Sequence, residues 1–153
     1  DQVIDYRDWS VPLGRRFRAL KLWFVIRSYG VKGLQKIIRN HIKLAQHAAT
    51  WMDEDPEFEL VSPRSLSLLN FRFQPKNITK SADIDLLNED LLNRLNNSGR
   101  VYFTQNRVRG KFTIRWSIGQ TNTQLNHVEN AWSLIKRISS NLNQIDSARI
   151  NSD

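Results

Sequence analysis

The stretch Phe112-Thr-Ile-Arg-Trp-Ser-Ile118 alternates apolar and polar side chains at every position. A period of two puts Phe112, Ile114, Trp116 and Ile118 on one face of a strand and Thr113, Arg115 and Ser117 on the other. Leu66 to Phe73 also reads as a strand, with Leu66, Leu68, Asn70 and Arg72 opposite Ser67, Leu69, Phe71 and Phe73. Shorter runs, Phe58–Val61 and Arg100–Thr104, read as their neighbours, with turns at Ser62-Pro63-Arg64 and Asn106–Gly110. Strands paired through short turns predict a small antiparallel sheet. The helical segments around them must pack on it, which makes the fold class α+β. Arg115 stands mid-strand among apolar neighbours. It either lies buried against a fixed anion or faces an open sheet surface.

The element order is helix, helix, strand, strand, helix, strand, strand, helix. Gly14 is an acceptable N-cap after Pro12, so the first helix is expected over Arg15–Tyr29. Phe17, Leu20 and Phe24 form one stripe, while Leu22, Trp23, Val25 and Ile26 fill the other sides. A helix apolar nearly all round is buried on every side. A domain of this size rarely encloses one so fully, so an interface with further protein is expected. Arg15 and Arg16 fall at the positive end of the helix dipole, where an anion is preferred. They either reinforce an anion site beside Gly14 or pair with acids such as Asp5 and Asp8.

Gly30 breaks the pattern. A second helix over Val31–Met52 is ordinarily amphipathic: Leu34, Ile37, Ile38, Ile42, Ala45, Ala49 and Met52 face Lys32, Lys36, Arg39 and Lys43. A third, Ile84–Leu95, carries Leu87, Leu91 and Leu95. The last runs to about Ile145 behind a capping box at Thr121–Gln124, with a frayed tail after Ser147.

Several function classes are disfavoured. The 153 residues suit one ordinary domain, and there is no cysteine for disulfides or thiolate metal sites. His41, His47 and His127 lack ligand-pair spacing and read as surface residues, so no metal is expected. No phosphate-binding glycine loop or nucleophile elbow is present. No apolar run approaches a membrane span. The net charge of +8 is spread along the chain and reads as solvated helix faces. A basic nucleic-acid module is the competing reading, and it predicts affinity that falls steeply with salt.

The residues Asp5-Tyr-Arg-Asp-Trp-Ser-Val-Pro-Leu-Gly-Arg-Arg-Phe-Arg18 closely resemble a segment of the pyridoxal-phosphate-dependent aromatic-L-amino-acid decarboxylases. The resemblance continues through Asp55–Phe73, Leu91–Thr121 and His127–Ile135, in the same order and spacing. It corresponds to the C-terminal region of that family. The resemblance implies a fold-type-I architecture, with residues 1–30 leading from a large domain through an interface helix, 31–147 forming the small α+β domain, and 148–153 a frayed tail. It implies a homodimer, pyridoxal 5′-phosphate as cofactor, an aromatic L-amino acid as substrate, and amine and carbon dioxide as products. It assigns substrate binding to Arg115, facing the carboxylate; to Gly14, lining the neighbouring subunit's pocket; and to Arg7, beside the mobile loop.

The family's Asn-Pro-His-Lys motif is absent from this sequence, as are the pyridine-binding aspartate and the stacking histidine. With Asp1 as the first residue, a fragment or processed product is expected, inactive alone and partnered by the large domain of the same enzyme. Ser10 stands where relatives often have glutamine, and Asn70 where many have cysteine. The expectation is a cytoplasmic lyase part that binds neither nucleic acid nor membrane. A non-catalytic dimerisation remnant is the alternative.

Overall fold

The computed structural model describes residues 14 and 16–150, with side chains described to residue 142. The chain divides into two compact units, residues 1–36 and 37–153.

In the first unit, α1 (Arg18–Asp53) begins three residues later than the sequence predicts. The Arg18 N–H donates to the Arg16 carbonyl at 2.7 Å, and the Leu20 N–H to Phe17 at 3.3 Å. Gly14 is therefore not its N-cap. The late start keeps Arg16 out of the first turn, where a cation opposes the helix dipole. Gly30 breaks the helical path as expected, with φ 65° and ψ 166°, a conformation that only glycine adopts cheaply. Apolar side chains point outward all round this helix: Phe17, Leu22, Trp23, Phe24 and Val31 are each more than half exposed. Arg27 lies 5.7 Å over the Trp23 ring, and Trp23 meets Phe24 edge-on at 5.0 Å.

The second unit takes the rest of α1, whose buried residues His41, Leu44, Ala45, Ala48, Ala49 and Met52 recur at helical spacing. A four-stranded antiparallel sheet follows, with strands β1 (Phe58–Leu60), β2 (Leu68–Phe73), β3 (Thr104–Val108) and β4 (Lys111–Ser117) in the order β1-β2-β4-β3. Helices α2 (Ser81–Asn97) and α3 (Leu125–Ile150) complete an α+β fold.

One strand departs from its predicted place. Arg100–Thr104 was the expectation, but β3 begins at Thr104. The turn is shorter than Asn106–Gly110: Val108 pairs with Lys111 across Arg109 and Gly110, which have φ of 52° and 81°. Two consecutive residues at positive φ match the twist of a tight hairpin. Phe103 is taken out of the ladder by Asn96, which bonds both its N–H (2.8 Å) and its carbonyl (3.0 Å).

Strand alternation sorts the sheet as the sequence predicts. Leu69, Phe71, Phe73, Phe112, Ile114 and Trp116 are buried in one cluster with α1, α2 and α3 residues. Phe58 meets Trp132 of α3 edge-on at 4.9 Å, and Phe103 bridges Phe71 and Trp116.

α2 closes the point where β2 and β4 diverge. Their ladder runs from Leu68–Ser117 to Phe71–Ile114 and then stops. Beyond it, Asn88 accepts from the Phe73 N–H at 2.7 Å and donates to the Phe73 carbonyl at 2.7 Å. Asp85, one turn earlier, accepts from the Phe112 N–H at 3.1 Å. Side chains of one helix thus replace a missing strand pair, and the buried backbone groups stay satisfied.

Two smaller expectations fail. His41 is not at the surface; it is 7% exposed, and its Nε2 lies 3.0 Å from the Gln120 carbonyl. The start of α3 is closed not by a Thr121–Gln124 pair but by His127, whose Nδ1 accepts from the Gln124 N–H at 3.1 Å.

Candidate functional site

The sheet face opposite the aromatic cluster carries the polar set. Antiparallel partners share a face, so the pairing Asn70–Arg115–Thr104 runs across β2, β4 and β3 as one row. Ser117, paired with Leu68, lies to one side; Thr113, and beyond it Arg72 paired with Glu59, lie to the other. Arg115 is only partly buried. Among the described residues, no acceptor is bonded to its guanidinium, so the centre of the row is a cation with open donors.

The groups around it are more committed. Arg72 is almost fully buried and donates from Nη2 to Asp85 at 3.0 Å. Arg107 donates to the other Asp85 oxygen at 3.1 Å, and Lys111 pairs with Glu59 at 2.7 Å. Among the described residues, the buried side-chain polar atoms lacking a partner are Glu59 Oε2, Asn70 Oδ1 and Arg72 Nε. The register puts all three on the Arg115 face. Unpaired buried polar atoms cost about 1–3 kcal/mol each, and these three lie on one face of the sheet.

The arrangement can hold an anion. A guanidinium presents a planar fork that fits a carboxylate with two parallel hydrogen bonds. It contains no nucleophile paired with a base. A separate cavity of about 480 Å³ near the start of α3 is lined by Arg100, Gln120, Asn122, His127 and Leu134 among others. His127 there accepts the cap bond through Nδ1, and no carboxylate or second histidine lies in the lining to pair with it. No three potential metal ligands cluster among the described residues, and no described helix is long and apolar enough to cross a membrane.

The sequence-predicted site residues fall in different places. Arg115 sits on the polar sheet face. Gly14 belongs to the first unit, is exposed, and has no described residue within 4 Å of where a Cβ would stand. Arg7 lies outside the described residues. The anion site expected at Gly14, Arg15 and Arg16 is not a helix terminus, because α1 starts at Arg18; Arg15 is outside the described residues, and Arg16 is exposed. The sequence reading gives Asn70 no part in the site. Its place opposite Arg115 could have been read from the alternation of the two strands once they were paired.

Residues 1–74 match the model of the pyridoxal-dependent decarboxylase conserved domain. A tryptophan decarboxylase of Camptotheca acuminata is 44% identical over 136 residues, covering 89% of this chain and 27% of that protein. A phenylacetaldehyde synthase of Arabidopsis thaliana is 42% identical over 140 residues, covering 92% and 28%. The crystal structure of Catharanthus roseus tryptophan decarboxylase in complex with L-tryptophan superimposes with a TM-score of 0.75 at 38% identity, covering 90% of this chain and 29% of that one. The chain thus spans about a quarter of the length of the curated relatives it matches.

Proposed function

We propose, for a chain that belongs to the pyridoxal-dependent decarboxylase family and matches a portion of its longer members, that it serves as the C-terminal part of an enzyme converting an aromatic L-amino acid to its amine and carbon dioxide. The observation that carries this is the 44% identity to a tryptophan decarboxylase across nearly the whole chain.

Within that enzyme, Arg115 binds and orients the substrate carboxylate. Its row of polar neighbours and its open donors support the role. As carbon dioxide leaves, the carboxylate loses its charge, so a cation beside it is worth less in the transition state than in the bound substrate. Arg115 therefore contributes to binding and orientation more than to lowering the barrier. Gly14 gives room for the aromatic ring, and Arg7 helps to order the site.

The described residues do not make a cradle for pyridoxal phosphate. Lys111 is tied to Glu59, Lys136 lies 5.7 Å over the Trp132 ring, and the other described lysines are exposed. The cofactor is assigned to the large domain of the longer protein. The outward apolar residues of α1 are assigned to the contact with that domain and with a second subunit of a homodimer.

The test is to supply the full-length protein with pyridoxal phosphate and, in turn, L-tryptophan, L-tyrosine, L-dopa and L-phenylalanine. Amine and carbon dioxide in equal amounts from at least one are expected. No turnover of any of them would overturn the reading. The likeness to a phenylacetaldehyde synthase favours one second reading, in which dioxygen and water convert the amino acid to the aldehyde, carbon dioxide, ammonia and hydrogen peroxide. Aldehyde and hydrogen peroxide in place of amine would establish it.

A further inference from the structure

Asn70 faces Arg115 directly across the β2–β4 ladder. In such a pair the Cβ atoms lie about 5 Å apart on the same face, within reach of a long arginine side chain. The Asn70 amide is half used. Its Nδ2 donates to Ser62 Oγ at 3.1 Å, which fixes the plane of the amide. Its Oδ1 is buried and, among the described residues, has no partner. A buried carbonyl oxygen left unpaired is costly, and the nearest row neighbour on its face is a guanidinium with open donors. Thr104, the other neighbour of Arg115, is exposed on the edge strand, where water can serve it.

We propose that Asn70 is a positioning residue for Arg115. In the assembled enzyme its Oδ1, unpartnered among the described residues, takes one N–H of the guanidinium and so sets the direction in which the remaining fork meets the substrate carboxylate. Ser62 holds the amide from behind. A guanidinium fixed by one hydrogen bond loses less rotational freedom on binding the carboxylate, which strengthens binding without any new contact to substrate. This inference rests on the assignment of Arg115 to the carboxylate.

The experiment uses the full-length enzyme with pyridoxal phosphate and compares KM for the amino acid with the inhibition constant of the product amine, which has no carboxylate. Asn70→Leu, which keeps the volume and removes the acceptor, raises KM about tenfold, the value of one hydrogen bond to a charged group. The amine's inhibition constant does not move. Asn70→Ala gives the same split without added bulk and stands in if the leucine variant does not fold. In an Arg115→Ala background neither change raises KM further, because the two residues act as one unit. Ser62→Ala, which loosens the tether but leaves Oδ1 in place, raises KM less than threefold.

If Arg115→Ala leaves KM unchanged, the carboxylate assignment itself fails. If Arg115→Ala raises KM while both Asn70 variants match the parent, the assignment stands and the positioning role is overturned. Equal effects of Ser62→Ala and Asn70→Leu, or an equal rise in the amine's inhibition constant, would reduce Asn70 to a structural tether and overturn the role too.

Discussion

The helix of the first unit and the sheet of the second are both rich in large apolar residues, and they treat them in opposite ways. Phe71, Phe73 and Ile114 are fully buried, whereas Phe17 is 74% and Trp23 53% exposed. The difference follows from pattern. In the strands, apolar residues recur every second position and define one face that three helices can cover. In the first part of α1 they occur on every side, and no neighbour in a chain of this size can cover all of them. An apolar surface of that extent is what the proposed contact with a large domain and a second subunit would cover.

The largest effect should come from the buried side. Phe71→Ala removes a fully buried ring and should cost about 3–5 kcal/mol in urea unfolding, while Phe24→Ala in the first unit should shift stability by less than about 0.5 kcal/mol. Equal losses would erase the contrast between the two regions.

Next come the side chains by which α2 closes the sheet. Asp85→Ala strips the carboxylate from a buried arginine and from the Phe112 N–H, an expected cost of about 3–5 kcal/mol. Asn88→Ala leaves both backbone groups of Phe73 unpaired and should cost about 2–3 kcal/mol. If either variant unfolds at the same urea concentration as the parent, α2 is not what holds β2 and β4 at their divergence.

On the exposed side, Trp23→Glu should leave the unfolding midpoint in place and lower the mass of the assembled full-length protein in light scattering. An unchanged mass would remove α1 from the subunit contact. The smallest effect on stability is expected of Gly14→Ser. No described residue lies within 4 Å of a Cβ there, and the position needs no positive φ. The folded chain should tolerate it fully, so any change in preference between phenylalanine and tryptophan reports on the pocket alone. Unchanged preference would take Gly14 out of it.

How far the sequence could be read depended on whether the signal was local. The alternation around Arg115 and Asn70 is local, and both faces of β2 and β4 follow from it. The break at Gly30 is local too. The boundary of β3 is not local, because it depends on Asn96, seven residues away from Phe103 and on another element. His41 reads as a surface residue in the sequence because its partner, the Gln120 carbonyl, is 79 positions distant. The role of Asp85 was invisible for the same reason: its ligands come from β2, β3 and β4, and only the folded sheet assembles them. For Arg115, strand position and face were legible. Its open donors and the buried Asn70 oxygen opposite were not.

The assignment of Arg115 to the substrate carboxylate is tested most directly by steady-state kinetics of Arg115→Ala in the full-length enzyme. The expected result is a KM for the amino acid raised about tenfold to a hundredfold, the value of a hydrogen-bonded charge pair, with a smaller change in kcat. An unchanged KM with a collapsed kcat would contradict it, because the guanidinium would then act on the transition state and not on the bound carboxylate.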